Sequence, residues 1–195
     1  MVLAGGDFNT MNGADSKALA VLDGTSGANV HTYPNFFIPK TSSVKSIDSD
    51  GTSFYIGNEG TGGGVFDGRA RLDLNTYNQV WRDTCLGATQ AVSVYGSTLY
   101  AAHHAHDCGS MGSFTDGSRI HLSAQNVDTP SPMMQWNPLT NDGLGEGLGP
   151  RALTHTTAGT NDILWAGGEF TTVNGRAQQS LTRFGPGPGS AGPAA

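Results

Sequence analysis

Apolar residues occur along this chain in short runs separated by Gly, Asn, Asp, Ser and Thr, and no stretch repeats them at i, i+3, i+4 and i+7. That pattern predicts strands and tight turns rather than helices, and so an all-β fold. One apolar lead-in recurs four times: VLAG at 2–5, YIG at 55–57, LYAA at 99–102 and LWAG at 164–167. Gly5, Gly57, Ala102 and Gly167 align as its last residue. Ahead of the last three copies stand the turn signals DSDG (48–51), VYGS (94–97) and AGTND (158–162), and ahead of those the strand candidates 44–47, 91–94 and 152–156. A further strand follows each lead-in, at 18–22, 70–74, 120–127 and 180–184. A fourth is expected to end near the aromatic of YPN (33–35), WRD (81–83) and WNP (136–138).

Four short strands in a unit of about 45 residues is the pattern of a β-propeller blade. The units run over about 1–40, 41–86, 87–140 and 150–185. The first lacks its leading strand and the last its trailing one, which leaves fourteen strands, or about three and a half four-stranded blades. The expectation is a propeller-like all-β domain over 1–185, either a fragment of a larger ring or one half of a seven-bladed ring made by two copies; the fragment is favoured. Open blade edges would also permit self-association. Residues 186–195, rich in Gly, Pro and Ala, read as a flexible linker or tail.

The sharpest repeat is AGGDFNTMNG (4–13) against AGGEFTTVNG (166–175); over 4–22 and 166–184, eight of nineteen positions are identical. Asn12-Gly13 and Asn174-Gly175 suit a turn that needs positive φ. Phe8 and Phe170 are expected to pack between neighbouring units, and the glycine pairs Gly5-Gly6 and Gly167-Gly168 to admit close backbone approach. The signature GG-x-F-x-T-x-N-G resembles a bacterial β-propeller repeat family of uncharacterised function. That family occurs mainly in secreted or surface proteins of actinobacteria and related bacteria, often beside sugar-binding or immunoglobulin-like modules. The resemblance spans residues 1 to about 185, closely at the two terminal copies and loosely between them. It implies a secreted or cell-surface parent protein and brings no catalytic residues.

Charge and composition narrow the function. Ten Lys and Arg against sixteen Asp and Glu give a net charge of −6, with the cations scattered, so no nucleic-acid partner is expected. No apolar run approaches the roughly 18 residues of a membrane span. The start, MVLAGGDF, has neither a basic nor an apolar leader segment, so no signal peptide is expected in this chain.

HHAHDC at 103–108 carries the most chemistry. Strand alternation would aim His104, His106 and Cys108 to one side, an acceptable set of zinc or copper ligands. Yet the only other cysteine is Cys85, and a Cys85–Cys108 disulfide is the simpler use of two cysteines in a domain of secreted type. With Cys108 spent, His104 and His106 remain as a metal-ion candidate pair without a third ligand. The DSDG turn lacks the later ligands of a calcium loop. Asp142 and Glu146, in the glycine-rich NDGLGEGLGP (141–150), are candidate cation or sugar contacts, although a plain connection is the simpler reading. Trp81, Trp136 and Trp165 recur at strand-like positions and are expected in the core. No nucleophile elbow occurs. Two functions are therefore in play. One is a non-catalytic extracellular binding or scaffold propeller without cofactor, presenting rim loops to a glycan or protein. The alternative is a propeller-type enzyme, acting on polysaccharide or as a metal-dependent oxidase, that uses His103, His104, His106 and His121.

Overall fold

A computed structural model describes residues 1–141, 149–158 and 161–185. The fold is all-β: four antiparallel sheets follow one another in chain order. The first joins β1 (Val2–Gly5), β4 (Leu19–Leu22) and β5 (Asn29–Thr32), with a small hairpin of β2 (Thr10–Met11) and β3 (Ala14–Asp15) inserted after β1. The second is a complete meander of β6 (Ser42–Ser49), β7 (Ser53–Gly60), β8 (Arg69–Asp73) and β9 (Gln79–Arg82). The third joins β10 (Thr89–Tyr95), β11 (Thr98–Ala105) and β12 (Ile120–Asn126), with a 3-10 turn at Gly109–Met111. The fourth joins β13 (Gly149–Ala158), β14 (Asn161–Glu169) and β17 (Leu181–Phe184), interrupted by the hairpin of β15 (Thr172–Val173) and β16 (Arg176–Ala177).

The two copies of the decapeptide fold alike. Gly5 pairs with Leu19 as Gly167 pairs with Leu181, and Thr10 with Asp15 as Thr172 with Ala177. Asn12 and Asn174 both sit at φ 49°, with Gly13 at 79° and Gly175 at 72°. Successive positive φ values twist a two-residue turn to match its flanking strands, which is why Asn-Gly stands there. The closing bonds recur as well: Gly6 N–H reaches the Ala18 carbonyl at 3.0 Å, and Gly168 N–H the Ser180 carbonyl at 2.9 Å.

Alternation along the strands gives each sheet two apolar faces, and the sheets stack through them. Leu3, Leu19 and Val21 of the first sheet meet Phe54, Ile56, Ala70 and Leu72 of the second. Tyr55 and Trp81, on the other side of the second sheet, meet Val92, Leu99 and Ala101 of the third. Tyr100, Ala102, Leu122 and Ala124 then meet Leu164, Ala166, Phe170 and Phe184 of the fourth. The second and third sheets are thus covered on both sides, while among the described residues the first and fourth each pack a sheet on one face only.

Two expectations need correction. The third unit forms no fourth strand at WNP, so the four sheets hold 3, 4, 3 and 3 strands rather than fourteen in all. Pro130, Pro132 and Pro138 crowd this stretch and cannot donate to a ladder; only Met134 N–H still reaches the Ala124 carbonyl, at 3.0 Å. Phe8 does not pack between units as its twin does: Phe170 is buried against the third sheet, whereas Phe8 is half-buried on the open face of the first. Among the described residues, no helix is long and apolar enough to cross a membrane.

Candidate functional site

Cys85 and Cys108 form a disulfide with an S–S length of 2.06 Å. It ties the end of the second sheet to the segment after β11, and both sulfurs are buried among Ala105, Met111 and Met133. Cys108 is therefore no thiolate ligand. A shift in the β11–β12 pairing between Ala102 and Ala105 breaks the simple alternation expected of the histidines. His104 Nε2 accepts the Ala88 N–H at 3.1 Å, while His106 Nδ1 lies 3.2 Å from Arg119 Nη1. A guanidinium beside His106 opposes a metal cation there. No group of three or more His, Cys, Asp or Glu side chains suited to a metal gathers among the described residues.

His103 and His121 belong to a buried polar seam. Arg69 and Asp83, both fully buried, form an ion pair; Arg69 Nη1 donates to Ser123 Oγ at 3.2 Å, and His103 Nε2 lies 2.7 Å from the same hydroxyl. His121 Nδ1 lies 2.7 Å from Thr140 Oγ1. Burial, reinforced by the Arg69 charge, holds His103 well below the usual imidazole range, so it is neutral at physiological pH. Buried charge survives here because each member has a hydrogen-bond partner. All of these groups are closed to solvent: Arg69, Asp83, Ser123 and His103 lie between the second and third sheets, and His121 and Thr140 lie beside the fourth.

The arrangement that can meet a ligand lies elsewhere, at the β10–β11 turn where the third and fourth sheets part. A cleft of about 220 Å³ is lined there by Tyr95, Tyr100, Trp136, His155, Asp162 and Phe184, among others. Gly96, at φ 54°, makes the turn that carries Tyr95 to the surface. Tyr95 stacks on His155, centroids 5.2 Å apart and planes 24° from parallel, and Trp136 stands edge-on to Tyr100 and Phe184. Polar groups converge on the same wall. His155 Nδ1 lies 2.8 Å from Ser93 Oγ, and hydrogen bonding to Asp162 pushes the Tyr95 phenol up. Burial lowers His155, against the pull of Asp48 and Asp162, so the ring is neutral near pH 7. A second, more open groove of about 490 Å³ holds His31, Tyr33, Phe37 and Tyr77, but no carboxylate lines it.

Sequence reasoning placed Trp136 in the core, where it is, but missed the cleft. Tyr95 stood in view within the VYGS turn, and Asp162 within AGTND; nothing local says that the two turns lie side by side. Trp81 and Trp165 are half-buried rather than central. The DSDG turn is held by Asp50, whose Oδ1 accepts the Thr52 and Ser53 N–H groups and whose Oδ2 accepts the Tyr55 hydroxyl; burial raises this carboxyl, but those bonds outweigh it and bring it down to about 2. Asp142 and Glu146 lie outside the described residues, as do 186–195. Compared with models of known families and with curated proteins, the chain matches none.

Proposed function

We propose that the protein is a non-catalytic extracellular binding module of β-propeller type whose ligand is a glycan held in the Tyr95–Asp162 cleft. Four successive meanders stacked through alternate faces support the propeller reading, and the buried disulfide fits an oxidising compartment. The observation that carries the ligand class is an exposed tyrosine stacked on a neutral imidazole beside a carboxylate. Sugars offer apolar C–H faces that lie on aromatic rings, and hydroxyls that donate to carboxylate oxygens. Tyr95 supplies the platform, Asp162 and His155 the polar contacts, and Trp136 the rigid floor.

The test is calorimetric titration of the purified chain with a panel of neutral oligosaccharides, repeated with Tyr95→Ala and Asp162→Asn. Loss of a good stacking or charge-assisted contact should weaken binding by about tenfold, near 1.4 kcal/mol. No binding across the panel, or binding indifferent to both substitutions, overturns the reading.

A further inference from the structure

We propose that the groove between the outer strands of the first and second sheets is a second carbohydrate site, built for a neutral sugar ring. It lies apart from the Tyr95–Asp162 cleft and does not depend on it.

Two turns of the chain are built alike. Asp23 closes the turn between β4 and β5, and Asp73 the turn between β8 and β9. In each, the aspartate Oδ1 accepts the N–H groups two and three residues on. The residue four places on returns its N–H to the aspartate carbonyl, at 2.9 Å in both turns. That fourth place takes the left-handed region, with φ 71° at Gly27 and 60° at Tyr77. A Cβ on Gly27 would meet nothing within 4 Å, so conformation alone selects the glycine there. Tyr77 holds the same conformation, which bulky residues avoid, and the hydrogen bonds of the turn make no use of its ring. Among the described residues one other aromatic has a positive φ: Phe36, at 55°, in the loop that carries Pro34 and Phe37 to the same groove. Backbone strain persists only where the surroundings impose it, and it clusters where side chains are held for a ligand.

The ring so held completes an aromatic wall. Tyr77 lies over His31, centroids 5.1 Å apart and planes 33° from parallel, and Tyr33 stands edge-on to His31 at 4.7 Å and 5.0 Å from Phe37. The Tyr33 hydroxyl donates to the Tyr77 carbonyl at 3.0 Å, which ties the two sides of the groove together. Tyr33 is buried, whereas His31, Phe37 and Tyr77 keep part of their surface free along a groove of about 490 Å³. Asn78 and Gln79, both exposed, add side-chain amides to it. An amide donates and accepts hydrogen bonds, as a sugar hydroxyl does, while the C–H face of a sugar ring lies on aromatic rings. No carboxylate, lysine or arginine lines the groove. Arg82, nearby, is turned to the Phe37 and Phe66 rings and donates to the Phe37 carbonyl at 2.9 Å. A charged sugar would find no ionic partner here, and a neutral one finds both its faces and its hydroxyls answered.

The groove is tested with the cleft silenced by Tyr95→Ala and Asp162→Asn together. Cellopentaose, xylopentaose and mannopentaose are titrated into this protein and into the wild type by calorimetry, and the imidazole resonances of His31 and His155 are followed by NMR. The expected result is that at least one sugar binds the silenced protein and shifts His31. Tyr77→Gly, added to the silenced protein, should weaken that binding by about tenfold. This change restores the residue that the turn favours, and circular dichroism serves as the folding control. Should it fail to fold, Asn78→Ala with Gln79→Ala, at two exposed positions, should weaken binding in its place. Binding that leaves His31 unmoved, or that is indifferent to these substitutions, overturns the proposal. So does decaproline shifting His31 where none of the sugars does. Sugar binding seen in the wild type and abolished by the silencing pair would leave the cleft as a site and remove this one.

Discussion

Residues 4–22 and 166–184 share register, turn and closing hydrogen bonds, yet they are buried in opposite senses. Leu19 is wholly buried and Leu181 is 53% exposed, while Phe170 is 2% exposed and Phe8 half-buried. Local sequence fixes the conformation of this element; its position in the series of sheets decides which of its two faces is covered. The same ten residues therefore carry two packing surfaces, and each copy uses one of them. A signature that repeats is evidence about backbone, and only the neighbouring sheets say where the apolar energy is stored.

The strongest way to break that comparison is to truncate the twins. Leu19→Ala should cost roughly 2–5 kcal/mol, as for buried leucines generally, against within about 0.5 kcal/mol for Leu181→Ala measured on the single copy. Phe170→Ala against Phe8→Ala should reverse the order, with the fourth-sheet change the costly one. Denaturant unfolding curves of the four variants read both differences. Equal costs within either pair would mean that the open faces are not open.

The middle sheets replace the signature, and the replacement can be tested in the same terms. Where the first and fourth sheets have an Asn-Gly hairpin after the lead-in strand, the third has the segment from His106 to Met111, tied back by Cys85–Cys108. With its ends 23 positions apart, this crosslink should contribute about 3 kcal/mol in the chain-entropy account. Cys85→Ser with Cys108→Ser should lower the unfolding free energy by that amount. Removing a hairpin asparagine should cost less.

That smaller effect follows from φ 49° at both Asn12 and Asn174. An alanine held in the left-handed region costs about 1–2 kcal/mol. Each asparagine also makes a bond its neighbour needs: Asn12 Nδ2 donates to the Gly27 carbonyl at 2.9 Å, and Asn174 Oδ1 accepts the Leu139 N–H at 2.9 Å. Asn12→Ala and Asn174→Ala should thus be nearly equal in cost, unlike the leucine and phenylalanine twins. Melting temperatures of the two variants would separate a conformational requirement, shared by the copies, from a packing requirement, which is not.

Much of this was legible from residues alone because strands and turns are written locally. Each lead-in, each third strand and both Asn-Gly turns lie within a few residues of their expected places, and the cysteine pair followed from scarcity. What the sequence did not show is set by distance across the fold. Phe8 and Phe170 are the same letter in the same motif, so no local rule could say that one lacks a neighbour. The missing strand at WNP was readable in Pro130 and Pro132, had their absent donors been weighed against the spacing of the units. The Tyr95–Asp162 cleft depends on two turns 67 positions apart, and only the packing of the third sheet on the fourth brings them together.

The smallest expected effect concerns the second glycine of the repeat. Gly6 and Gly168 align with His103 in the third sheet, so a position that cannot titrate in the terminal copies holds a buried imidazole in the middle. A Cβ on Gly168 would meet the Gly149 carbonyl, whereas β11 is bulged here and leaves His103 room to reach Ser123. The unfolded chain protonates this histidine near pH 6.5, and the folded one well below that, with Arg69, His104 and His121 all facing it. Between the two values the unfolded state binds more protons, so the stability due to neutral His103 is complete above about pH 6.5 and is lost as pH falls. The lowered carboxylates, Asp50 at about 2 among them, titrate further down and leave this window to the histidines. His103→Gln, which keeps a partner for Ser123, should flatten the fall of melting temperature between about pH 6.5 and 5. His155, also lowered by burial, should leave part of the slope in place, and His103→Gln with His155→Gln should remove more of it than either change alone.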